Sequence, residues 1–157
     1  MTVFDRIIRG DLPATFVHRD DRCVAFMDLK PMSPGHVLVV PVQSVATLEE
    51  VEPPVRAHLW ETATRIAGAQ RRGLGSLAQH FLVNDGRAAS QSVPHVHIHV
   101  IPRYANDAAR TVSRMAWHLA TLQLRPRESP GRRAELERAA QAIRSALRET
   151  RSTPGSP

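Results

Sequence analysis

Cysteine is almost absent from this chain: Cys23, within Arg22-Cys23-Val24-Ala25-Phe26, is the one thiol in 157 residues. An intrachain disulfide is therefore excluded, as is a cysteine-rich zinc centre, and Cys23 reads as a small buried strand residue. No run reaches the roughly 20 apolar residues of a transmembrane helix. The start, Met1-Thr2-Val3-Phe4-Asp5, lacks the basic and apolar blocks of a signal peptide, so a cytoplasmic address without membrane contact is expected. Glycine-rich loops followed by lysine are missing too, which removes a P-loop, and no internal repeat points to a solenoid.

Lysine is nearly as scarce. Lys30 is the one lysine, and arginine supplies the rest of the net charge of +6. Residues 1 to 109 balance 11 basic against 11 acidic side chains, whereas residues 110 to 157 carry 10 arginines against 4 glutamates. The excess lies wholly in the C-terminal part. That part has no interleaved aromatics apart from Trp117, so a solvated helical face is favoured over nucleic-acid binding.

What the chain does contain reads as a single α+β domain with a helical extension. Thr2 and Asp5 cap a short helix carrying Phe4, Ile7 and Ile8, which Gly10 can stop. Ala14 to His18 and Arg22 to Met27 are strand candidates joined by a polar turn of hairpin length. A Pro/Gly loop, Asp28 to His36, opens onto Val37-Leu38-Val39-Val40, an apolar run suited to a strand buried on both faces. Residues 54 to 72 form the principal helix, entered through Pro53-Pro54 and ended by Gly73. Phe81-Leu82-Val83 gives a further strand, and a polar loop from Asn84 to Ser90 follows. Beyond residue 104, one helix would carry Val112, Met115, Leu119 and Leu122. Another, starting at Ser129-Pro130, would carry Leu136, Ala140, Ile143 and Leu147. The expected division is residues 1–104 as the domain, 105–150 as the helical extension and 151–157 as a disordered tail.

Histidine is the feature that asks for chemistry. His18, His58, His80 and His118 stand apart from one another in sequence and read as ordinary residues. In Gln91-Ser92-Val93-Pro94-His95-Val96-His97-Ile98-His99-Val100-Ile101, a period of two sets His95, His97 and His99 on one face and Val96, Ile98 and Val100 on the other. Neighbouring imidazoles on that face stand roughly 6 to 7 Å apart. Three readings compete: a half-exposed strand, a His-x-His transition-metal site, or an imidazole nucleophile tuned by its neighbours.

This stretch resembles the His-φ-His-φ-His-φ-φ signature of the histidine triad (HIT) family, with φ apolar. Phe4 to Ala14 is similar to that family's opening helix, Asp28 to Pro41 to its nucleotide loop and following strand, and Asn84-Asp85-Gly86 to its phosphate-side loop. The resemblance spans residues 4 to about 104. It implies an antiparallel sheet of about five strands with one long and one short helix, and a homodimer.

The implied activity is a nucleotidyl hydrolase or transferase acting at the α-phosphorus of a dinucleoside polyphosphate or nucleoside phosphoramidate. His97 would attack and carry the nucleotidyl group, with His36 as its orienting partner. His95 and His99 would contact phosphate oxygens together with Asn84, Gln91 and Ser92. Asp28 would bind the ribose hydroxyls, and Phe4, Ile7, Phe26 and Leu29 would wall the base pocket. No cofactor is implied. Some bacterial relatives hold structural zinc with a Cys-x-x-Cys pair near the start and a histidine after the Val-Val-Pro strand. This chain lacks both, so zinc is not expected. A nucleotide-binding sensor or adaptor that keeps the pocket without turnover is the alternative. Ile101-Pro102-Arg103 favours the dinucleoside-polyphosphate branch, while the opening helix and Ser92 lean toward the phosphoramidate branch.

Overall fold

The computed structural model describes residues 1–109, 112–114, 116 and 129–150. The order of elements is α1 (Val3–Arg9), β1 (Phe16–Arg19), β2 (Cys23–Met27), β3 (Val37–Pro41), α2 (Pro53–Leu74), β4 (Ala78–Leu82), a short 3-10 turn at Arg87–Ala89, β5 (Ile98–Arg103) and α3 (Pro130–Glu149). The architecture is α+β: five strands pair antiparallel throughout in the order β1-β2-β3-β5-β4.

Alternation along the central strands sends two sets of side chains to two faces. Cys23, Ala25, Met27, Val37, Val39, Ile98 and Val100 join Leu59, Ala63 and Ile66 of α2 and Leu136, Ala140 and Ile143 of α3 in the larger core. Val24, Phe26, Leu38 and Val40 face the other way and pack with Phe4 and Ile7 of α1. One face is thus sealed by two long helices of 22 and 20 residues, the other by a helix of 7. Burying one of these core side chains is worth about 1.5–3 kcal/mol, so the sealed face carries most of the stabilisation.

Local signals account for the helix ends. Thr2 accepts from the Asp5 backbone N–H while the Asp5 carboxylate takes the Thr2 N–H, a reciprocal cap, and Gly10 ends α1 at φ 86. Ser129 caps α3 in the expected place, and Leu136, Ala140, Ile143 and Leu147 face inward as the spacing predicts. Arg144 fastens α3 to the sheet by donating to the Phe16 carbonyl at 2.8 Å.

The principal helix, however, does not stop at Gly73. It runs on to a left-handed cap at Gly75, and Gly73 serves packing instead: a Cβ there would lie 2.6 Å from the Ala142 carbonyl oxygen of α3. The histidine strand also begins later than the alternation suggests, at Ile98, leaving His95 in the bend before it and His97 in the approach to β5. The approach lies along the same core, with Val96 fully buried beside Ile98 and Val100. Of the helix expected after residue 106, Met115, Leu119 and Leu122 lie outside the described residues, as do His118 and the tail 151–157. No helix among the described residues is long and apolar enough to cross a membrane.

Candidate active site

On the thinly covered face, between α1, the β2–β3 loop and the approach to β5, lies a cavity of about 230 Å3. Its walls include Phe4, Ile7, Phe26, Leu29 and Leu38 on the apolar side and Asp28, Lys30, Ser92, His97 and His99 on the polar side. The short α1 is held in place by its cap, which keeps Phe4 against the histidines. The Phe4 ring meets Phe26, His95 and His97 edge to face at centroid distances of 5.6, 5.8 and 5.1 Å.

Each imidazole has a distinct position. The His97 Nδ1 lies 2.8 Å from the carbonyl oxygen of His95. A carbonyl only accepts, so the neutral ring carries its proton on Nδ1 and its lone pair on Nε2. The His36 Nδ1 accepts from the Met32 N–H at 3.2 Å and also lies 3.4 Å from an Asp28 carboxylate oxygen. With Nδ1 accepting, its Nε2–H donates to the His99 Nδ1 at 3.0 Å, which leaves the His99 proton on Nε2. Antiparallel register opposite Leu38 and Leu82 fixes His99 between β3 and β4. Asp28 is held from its other oxygen by the Lys30 N–H at 2.8 Å.

His95 sits behind the cavity. Its Nε2–H donates to the Pro41 carbonyl at 2.9 Å, and its Nδ1 faces the Thr2 hydroxyl at 3.2 Å and Asp5 at 3.5 Å. Burial holds its pKa below 6.5, against the opposing pull of the Pro41 carbonyl and Asp5. The Thr2 backbone N–H, with Ser44, Thr2 and His95, keeps Asp5 below the usual carboxylate range. Thr2, Asp5, Ser44 and His95 thus form a hydrogen-bonded group near the chain start. It contains no sulfur ligand, and the His95 Nε2 is committed to the Pro41 carbonyl.

The cavity therefore brings together His97, His99, Asp28, Ser92, Phe4, Ile7, Phe26 and Leu29, with His36 directly behind His99. Three residues stand elsewhere. Gln91 braces its own loop, accepting from the Gly86 N–H at 3.0 Å and donating to the Ala46 carbonyl at 2.7 Å. Asn84 is half-buried outside the cavity wall, and His95 has the supporting position just described. His36 bonds His99 at 3.0 Å, while the His97 Nδ1 is held by the His95 carbonyl. Gln70 went unnoticed in the sequence: buried in α2, it donates to the Gly35 and Val100 carbonyls at 3.0 and 3.1 Å and so ties the His36 loop to β5. Its position on the inward face of α2 was the available signal. Asp28, His36 and His99 present ligand atoms within 4.8 Å of one another, so this trio is also able to hold a metal ion.

The HIT domain model matches residues 9–106. The chain belongs to the HIT family. It is 41% identical over 105 residues to adenylylsulfatase HINT3 of Arabidopsis thaliana, covering 67% of this chain and 53% of that protein, so it spans about half of that relative's length. An uncharacterised HIT-like protein of Mycobacterium tuberculosis is 40% identical over 105 residues, 67% of this chain and 73% of the relative. Among solved structures, a zinc-bound histidine triad family protein from Mycobacterium smegmatis superposes with a TM-score of 0.75 at 32% identity, covering 96% of this chain and 95% of that one. The likeness to this HIT protein extends beyond the residues of the family model.

Proposed function

We propose that this HIT protein is a nucleotidyl hydrolase or transferase in which His97 attacks the α-phosphorus of an adenylyl compound. The observation that carries the reading is the His97 tautomer: its Nδ1 is committed to the His95 carbonyl at 2.8 Å, so the nucleophilic lone pair is on Nε2 in a residue lining the cavity. The phosphorus–nitrogen bond forms as the bond to the leaving group breaks, and water then releases the nucleoside monophosphate and returns the imidazole.

The other groups have complementary work. His99, with its proton on Nε2 through the bond from His36, and the Ser92 hydroxyl donate to phosphate oxygens as charge develops there. Asp28 accepts from the ribose hydroxyls, and Phe4, Ile7, Phe26 and Leu29 enclose the base. His95 acts through the His97 tautomer and the α1 wall. Asn84 and Gln91 shape the loop that carries Ser92. The chemistry needs no metal. A homodimer completes the reading, joined through the β4 edge and α2, where the Trp60 and Phe81 rings, 39% and 41% exposed, lie 6.2 Å apart.

Turnover tests this directly. Wild type and His97→Ala are compared for AMP release from a dinucleoside polyphosphate, an adenosine phosphoramidate and adenylyl sulfate, the last chosen because the Arabidopsis relative is named an adenylylsulfatase. Release by wild type, lost by more than about a thousandfold in the variant, is expected. AMP binding with no release from any of the three would replace the enzyme with a nucleotide sensor.

A further inference from the structure

Two histidines that look isolated in sequence meet on the helix-covered side of the sheet. The β1–β2 turn closes with the Asp20 N–H donating to the Cys23 carbonyl at 3.0 Å. One Asp20 carboxylate oxygen is then fixed by the Arg22 and Cys23 N–H groups at 2.9 and 2.8 Å. The other oxygen is directed at two imidazoles. The Nε2 of His18, from β1, and the Nε2 of His58, from α2, each lie 2.7 Å from it. Beneath them Cys23 is fully buried, its thiol donating to the Thr62 hydroxyl at 3.6 Å. His58 and Thr62 are one turn apart on α2 and face the hairpin together.

All four ligand atoms of His18, Asp20, Cys23 and His58 lie within 4.8 Å of one another. A tetrahedral ion with bonds of about 2.0–2.3 Å separates its ligands by roughly 3.3–3.8 Å. The carboxylate–imidazole pairs, 2.7 Å apart, must open by about 0.6 Å, which small side-chain rotations supply. The side chains of His18, Asp20 and His58 are 16%, 26% and 19% exposed, so an ion can enter from solvent and meet the buried thiol.

We propose that His18, Asp20, Cys23 and His58 form a four-coordinate site for a divalent transition metal of the zinc class, fastening the β1–β2 hairpin to α2. Two imidazoles, one carboxylate and one thiolate match the borderline-soft preference of zinc, and the two anionic ligands offset its charge. On coordination the Cys23 proton passes to solvent, and each imidazole binds through Nε2 with its own proton on Nδ1. The site is separate from the cavity and makes no demand on the reaction there.

Chelator-stripped full-length protein titrated with Zn2+ by calorimetry and with Co2+ by absorption tests the site. One equivalent of zinc with a dissociation constant in the low micromolar range or below is expected. Cobalt should show intense tetrahedral bands and a thiolate-to-cobalt charge-transfer band, the latter lost in Cys23→Ser. His58→Gln should weaken zinc binding at least tenfold and abolish the metal-induced rise in Tm, while His99→Gln leaves both unchanged. The proposal is overturned by no zinc binding to wild type, by a cobalt spectrum without thiolate charge transfer, or by binding that falls with His99→Gln and survives His58→Gln. The wild-type cobalt spectrum decides the matter even where a variant fails to fold.

Discussion

The two faces of the sheet differ in what covers them. On one, α2 and α3 interlock so closely that Gly73 has no room for a side chain, and the strand residues turned toward them are apolar apart from His18 at the hairpin edge. On the other, the seven residues of α1 cover only part of the sheet: Phe4 packs on His95 and His97, and the cavity opens beside them. The same strands serve both: Ile98 and Val100 belong to the sealed face while His97 and His99 turn to the open one. Stability and chemistry are thereby assigned to alternate residues of one segment. A residue on one face should be alterable without the consequence belonging to the other.

Ile143→Ala gives the largest expected effect on that contrast. Ile143 is fully buried in the sealed core, and its truncation should cost about 2–5 kcal/mol, read as a lower denaturation midpoint at unchanged slope. The rate per folded molecule should stay within a factor of two. A proportionate loss of activity would mean that the faces are coupled.

Thr2→Ala probes the open face with a smaller stability effect. Loss of the cap should cost about 1 kcal/mol, yet it removes the hydroxyl beside His95 Nδ1 and loosens the helix carrying Phe4. The expected result is a raised KM with a melting temperature lowered by only about 2–4 °C, and Thr2→Ser should restore both. A melting temperature lowered as much as by Ile143→Ala would contradict the division.

The smallest effect is in pH. His95 has a folded pKa held below 6.5, so the unfolded chain binds its proton first and stability must rise with pH from the folded value up to about 6.5, then level. Asp20 is held low in the opposite manner: burial would raise it, but the Cys23 N–H, His18 and other partners outweigh that, and its contribution is lost as pH falls below 3.8. His95→Gln should flatten the upper limb of the stability curve and leave the acid limb in place. An unchanged upper limb would show that His95 does not carry it.

Much of this was legible in the sequence because it is written in neighbouring residues. The Thr2–Asp5–Gly10 signals define α1, Ser129-Pro130 starts α3, and strict alternation around His97 separates core from site. What could not be read depends on chain segments meeting. Gly73 looks like a stop until α3 lies against it. Gln91 looks like a ligand contact until its loop folds back on Ala46. His36 stands out by its motif, but only the pairing of β3 with β5 brings it to His99. His18 and His58 share no spacing pattern, since one comes from a hairpin and the other from a helix packed over it.

The central claim is that the His97 Nε2 forms a bond to phosphorus, and acid-free rapid quenching of the full-length protein with an adenosine phosphoramidate, followed by peptide mass spectrometry, addresses it most directly. The account predicts one adenylyl group on the peptide containing His97, present during turnover and absent from His97→Ala. AMP release at full rate with no such adduct, or an adduct on His99, would contradict it.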